Sequence, residues 1–184
     1  WREAGDSWKD LDTVPGLRGL LDSHLHNDTS FAVRSVYGRW FPWLVSMDPS
    51  WASAAVSKVC EAGHRFKAGW DAYISFNEPY NNVFSLTRFA YEQAITWLPA
   101  GGTGGRRPEE AQEKLGSHIL MFYARGFVDL TDPNDLLQRF FVAATSGLRR
   151  RCLDSVGRHL GPKEVPLPPE IAERLVRLWE SRVA

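Results

Sequence analysis

Short signals that start and stop helices recur along this chain, and between them apolar residues keep to the spacing of one helical face. Asp48-Pro49 is such a start. Asp48 suits an N-cap, and Pro49 suits the first helical position, where no backbone donor is needed. Ala52, Ala55, Val56, Val59 and Cys60 follow at i, i+3, i+4 spacing, and Gly63 is the expected stop. Asp132-Pro133 repeats the start signal, ahead of Leu136, Leu137, Phe140, Phe141 and Ala144, with Gly147 as the stop. Pro108-Glu109-Glu110 opens a third helix, with acidic side chains at its positive end. Leu115, Ile119, Phe122 and Tyr123 form its stripe, and Gly126 closes it. Pro169-Glu170 opens the last helix, which carries Ile171, Leu175, Leu178 and Trp179 on one face.

Less clean helices lie between these. The spacing predicts helices near residues 17–25, 30–46, 66–76, 81–98 and 148–160, the last continuing from its predecessor. Ser30 is the expected cap of the second, and Pro42 is expected to kink or divide it because it removes a mid-helix donor. No sustained two-residue alternation of β-branched side chains occurs, which argues against a sheet. The expected fold is all-α, with eight or nine helices in antiparallel pairs, resembling a divergent α-solenoid. Two connections stand out. Pro99 to Arg107 is Gly-rich, and Gly161 to Pro168 is Pro-rich.

The chain has 184 residues, of which 43% are hydrophobic and 24% charged. Length predicts one helical domain over 1–184, with room for two subdomains, and a composition of this kind folds around a core. The 22 basic residues balance the 22 acidic ones. A dedicated nucleic-acid or membrane-surface protein would carry a basic excess. No apolar run is long enough to span a membrane, and no signal peptide opens the chain. Trp1 stands where a Met would begin a translated chain, so the expectation is a fragment of a larger multidomain protein. Cys60 and Cys152 cannot make a disulfide framework, and reduced thiols in the cytoplasm are expected.

Candidate chemistry is sparse. His24-Leu25-His26 has the His-x-His spacing of a strand-end metal site, since residues i and i+2 share one side of a strand. On a helix the two rings would stand about 200° apart and could not chelate one ion. The helix end is the preferred reading, and a small metal-dependent hydrolase using His24 and His26 is the alternative function. Gly101 to Arg107 lacks the Lys of a phosphate-binding loop and follows no strand, so it reads as a linker. Asp71 and Glu78 make a loose acid pair near Tyr80 that no reaction demands. Cys60 and Cys152 read as packed thiols. No catalytic, cofactor or metal residue is assigned. The interaction patch expected from sequence is Arg149, Arg150 and Arg151, with Arg177 and Arg182 on the terminal helix. Arg139 and Arg158 lie near it in sequence.

Several stretches carry a resemblance. They are residues 28–44 (DTSFAVRSVYGRWFPWL), Asp48-Pro49-Ser50-Trp51, Trp70-Asp71-Ala72-Tyr73, Leu115-Gly116-Ser117-His118, Tyr123-Ala124-Arg125-Gly126 and residues 174–182. Together they resemble the helical C-terminal domain of large bacterial proteins with an N-terminal SIR2-like or nucleotide-binding domain, a group associated with anti-phage defence. The resemblance implies a helical module in such a protein. It has no catalytic motif, so it assigns no residue a role. The expected function is therefore a non-catalytic interaction, sensing or assembly module. Its expected partner is a protein, either the rest of its own chain or another copy. Nucleic acid is disfavoured except through the Arg cluster. The terminal helix is expected to take part, with Trp179 buried behind it.

Overall fold

The computed structural model describes residues 10–61, 63–98, 108–160 and 166–183. The Gly101–Arg107 linker and the Gly161-Pro162 stop lie outside the described residues. Among the described residues there are nine α-helices, one short 3-10 turn (Leu11–Thr13) and no strand. The helices are α1 (Leu17–Asn27), α2 (Phe31–Met47), α3 (Pro49–Val59), α4 (His64–Phe76), α5 (Asn81–Thr96), α6 (Pro108–Ala124), α7 (Leu136–Ala143), α8 (Ser146–Leu160) and α9 (Pro169–Val183). The chain is all-α, and it divides into two compact units, Trp1–Ala90 and Tyr91–Ala184.

In unit 1, α2 packs against α4 and α3. The seam between α2 and α4 is set by two glycines. A Cβ on Gly38 would lie 1.9 Å from the Gly69 carbonyl oxygen, so only hydrogen atoms allow the two backbones to meet. Asp48 is the N-cap of α3, accepting from the Trp51 amide at 2.8 Å, and Ser30 caps α2 at the Ala32 amide. Pro42 sits inside an unbroken α2 rather than dividing it. The missing Pro42 amide deprives the Gly38 carbonyl of its helical donor, and Asn77 Nδ2 reaches that carbonyl from the end of α4 at 3.4 Å. A tertiary donor thus replaces part of what the proline removes.

Buried Arg34 ties three helices together. Its Nη2 donates to the Leu25 carbonyl near the end of α1 at 2.7 Å, and its Nη1 donates to the Lys58 carbonyl near the end of α3 at 3.1 Å. Both are helix C-termini, where unsatisfied carbonyls and the helix dipole favour a cation. Glu61 Oε2 lies 4.0 Å away. Tyr37 adds a third anchor by donating to the Leu21 carbonyl at 2.6 Å.

In unit 2, α6 packs against α7, α8 and α9, and α8 also packs against α9. The expected stripe of α6 is buried, as are Leu136, Leu137, Phe140 and Phe141 of α7. Gly126 ends α6 at φ 85°. The Phe127 amide donates to the Phe122 carbonyl and the Gly126 amide to the Tyr123 carbonyl, while the Phe122 and Phe127 rings meet edge-on. This is a Schellman ending with its hydrophobic contact.

Two sequence boundaries are corrected here. Asp132 does not cap α7. It accepts from the Asn134 amide in a turn, and the cap is Asp135, which bonds the Leu136 and Asp129 amides. Gly147 does not stop a helix. It lies in the first turn of α8, and the break falls at Ala144-Thr145, where Thr145 Oγ1 accepts from the Leu148 amide at 3.2 Å.

Candidate functional site

Unit 1 carries an apolar groove of about 720 Å³ between α1 and α2. Helical spacing builds it. Leu17, Leu20, Leu21 and His24 project from one face of α1, and Val33, Val36, Trp40 and Trp43 project from the facing side of α2. Tyr37 and Leu44 are buried beneath. Leu20, Val36 and Trp40 remain 56%, 57% and 50% exposed, values of surface residues rather than of a core. Trp40 and Trp43 meet edge-to-face at 6.2 Å. The Arg39 guanidinium lies 4.4 Å from the Phe76 ring centroid and 5.5 Å from that of Trp40, at the edge of the same surface. Arg39 has no carboxylate partner among the described residues.

The His-x-His pair is on the last turn of α1 and forms no shared site. His24 Nδ1 lies 3.4 Å from Asp28 Oδ2, whereas His26 Nδ1 donates to the Asp22 carbonyl at 2.8 Å. No group of three potential metal ligands occurs among the described residues. Asp71 is within α4 and Glu78 beyond its end. Both cysteines are free. Burial pushes each thiol up to about 12, with Glu113 adding to the effect at Cys152. Raised in this way, both thiols stay protonated at neutral pH, and the thiolate is the nucleophilic form.

The predicted arginine patch separates into parts. Arg149, Arg150 and Arg151 are exposed on α8, but Arg151 is paired with Glu113. Arg139 lies 3.8 Å from Glu92. Arg177 is exposed and lies 3.7 Å from Glu173 on its own helix. Arg182 turns inward, donating to Gln138 Oε1 with its guanidinium 4.5 Å from the centre of the Phe141 ring. Burial and the proximity of Arg149 lower its pKa. Arg182 therefore holds α9 to α7. Trp179 is half-buried rather than buried, and packs beside Gly157 of α8.

The groove was missed at the sequence level because its residues look like ordinary core stripes. A signal was present: α2 is apolar around nearly its whole circumference, more than α3 and α4 together can cover. A comparison with protein-family models, curated proteins and solved structures found no match, so no role is carried over from a relative. No helix among the described residues is long and apolar enough to cross a membrane.

Proposed function

We propose that this protein is a non-catalytic docking module whose unit 1 receives an amphipathic helix of a protein partner in the α1–α2 groove. The groove itself carries the reading: an open, aromatic-lined apolar channel between two helices suits the i, i+3, i+4, i+7 stripe of a third. Arg39 on its edge gives the partner its chemistry, an acidic residue flanking the apolar stripe. A neutral chain with Arg151 already engaged gives nucleic acid less support.

The partner helix comes from the rest of the same polypeptide or from another copy of it. The setting we propose is a large bacterial, cytoplasmic protein, acting with a SIR2-like domain in anti-phage defence. Support for that setting is the sequence resemblance, and for the compartment the two free thiols. The hydrolase alternative has no observation in its favour, because α1 places His24 and His26 on different partners.

A display library of amphipathic helical peptides with acidic or basic flanks tests the proposal, with a photo-crosslinker at Val36. Acidic-flanked peptides are expected to be selected and to crosslink. Trp40→Glu is expected to weaken them at least about tenfold, or about 1.4 kcal/mol, without changing the far-UV circular dichroism. Selection of peptides that neither crosslink at Val36 nor respond to Trp40→Glu would refute the groove. Sedimentation across concentration distinguishes a second copy from another part of the polypeptide.

A further inference from the structure

Unit 2 has a separate cavity of about 380 Å³, bounded by Tyr123, the 126–131 segment, Asp135 and the α9 side chains Arg174 and Arg177. Its acids and its bases are in different states. Asp129 accepts from the amide and the hydroxyl of Thr131, and Asp135 from the amides of Asp129 and Leu136. Those carboxylates are occupied by donors of their own loop and are poor seats for a cation.

The arginines retain most of their hydrogen-bonding capacity. Arg174 donates only to the Tyr123 carbonyl, at 3.5 Å, with its guanidinium 5.9 Å from the Tyr123 ring centroid, and it makes no ion pair among the described residues. Its backbone is fixed, because the Tyr123 hydroxyl donates to the Arg174 carbonyl at 2.8 Å. Gly126 leaves space for that guanidinium, since a Cβ there would lie 3.2 Å from Nη2. Arg177, three residues on and on the same face, has one exposed and weak partner in Glu173. The Asp129 and Asp135 carboxylates in the same lining offset part of the charge of the two guanidinium groups, but they leave the forked donors open, and those donors match an oxyanion.

Asp129, Thr131 and Asp135 make part of the remaining wall polar, and an apolar strip lies beside them. Phe127 is 43% exposed beside the cavity, next to Val128 and Leu130. The volume falls within the range of small-molecule sites. We propose that this cavity binds a small organic oxyanion, a carboxylate or phosphate monoester, with its head group on Arg174 and Arg177 and an aromatic or branched aliphatic body against Phe127. The proposal does not depend on the groove of unit 1.

Isothermal titration of the full chain with phenyl phosphate, benzoate and benzylamine tests it. Phenyl phosphate or benzoate is expected to bind, and the tighter of the two identifies the head group. Arg177→Ala is expected to weaken that binding about tenfold or more, with circular dichroism unchanged. Arg174→Lys, which keeps the charge and loses the fork, is expected to weaken it less than Arg177→Ala combined with Arg174→Lys. Absence of heat from both anions at about 10 mM, benzylamine binding as tightly as the anions, or undiminished binding by Arg177→Ala would each overturn the proposal.

Discussion

A buried arginine bonded to two helix ends concentrates much of unit 1 in one side chain. Arg34→Ala would remove the donors of the Leu25 and Lys58 carbonyls and leave a cavity among three helices. Leaving two buried or part-buried carbonyls without a donor costs about 1–3 kcal/mol each, roughly 2–6 kcal/mol together. The expected result in urea unfolding is a loss of that size, against about 1 kcal/mol for Tyr37→Phe, which gives up one neutral hydrogen bond. Equal losses would refute the central place of Arg34. The histidines make the opposite case. His24→Ala with His26→Ala, and treatment with a chelator, are expected to leave the thermal midpoint nearly unchanged, because both rings make exposed contacts. A large fall on chelation would restore the metal reading.

Between elements, close approach decides the cost of a methyl group. Gly38→Ala sets a Cβ against the backbone oxygen of Gly69, so α2 and α4 must separate. The expected loss is at or beyond the upper end of the roughly 1–3 kcal/mol of overpacked cores. Gly116→Ala meets Cys152 Sγ and the Phe140 ring, side chains rather than backbone, and should cost less. Chemical denaturation of both variants checks the order. Caps give a second ranking. Asp135→Ala should cost about 0.5–2 kcal/mol and Asp132→Ala less, since only Asp135 bonds the start of α7. Two further carboxylates give the helix connections their response to acid. Asp28 is held below the usual carboxylate range by the Ser30 amide, and Asp129 by the amide of Thr131. A lowered folded-state pKa means that their stabilisation is complete above the unfolded value, near about 4, and is lost as pH falls through the lower folded values. Asp28→Asn with Asp129→Asn should flatten the fall in stability below about pH 4, as read by thermal melts across acid pH.

Among the described residues, the exposed large apolar side chains are distributed unevenly. Leu20, Phe31, Val36, Trp40, Phe76, Tyr80 and Phe89 belong to unit 1, against Phe127, Val142 and Val176 in unit 2. Leu20, Val36 and Trp40 share the α1–α2 groove, and clustered exposure supports the proposed docking surface where scattered apolar residues would not. A fluorescent apolar dye is therefore expected to bind the folded protein, and Val36→Glu with Trp40→Glu to remove most of the signal. Arg149→Ala, Arg150→Ala and Arg151→Ala together should leave dye and peptide binding intact. Tight, steeply salt-dependent binding of DNA or RNA that this triple variant abolishes would replace the protein partner with a nucleic acid.

Helix class, most helix limits and several caps follow from local chemistry, and these were legible in the sequence. Asp48, Ser30 and Gly126 act within a few residues of themselves, so their roles needed no tertiary information. The same local reading placed Asp132 and Gly147 wrongly, because Asp132 and Asp135 both stand near the start of α7, Thr145 and Gly147 both stand near the start of α8, and local rules do not rank them. Pro42 was read by its missing donor alone, yet α2 continues because its neighbours enclose it and Asn77 supplies a donor from another helix. The candidate sites lay beyond local reading for the same reason. Periodicity says which face of α2 is apolar, but not how much of that face α3 and α4 will cover. Whether Trp40 fills a core or lines a groove, and whether Arg182 faces a partner or Phe141, is decided by helix positions, which depend on contacts between residues far apart in the chain.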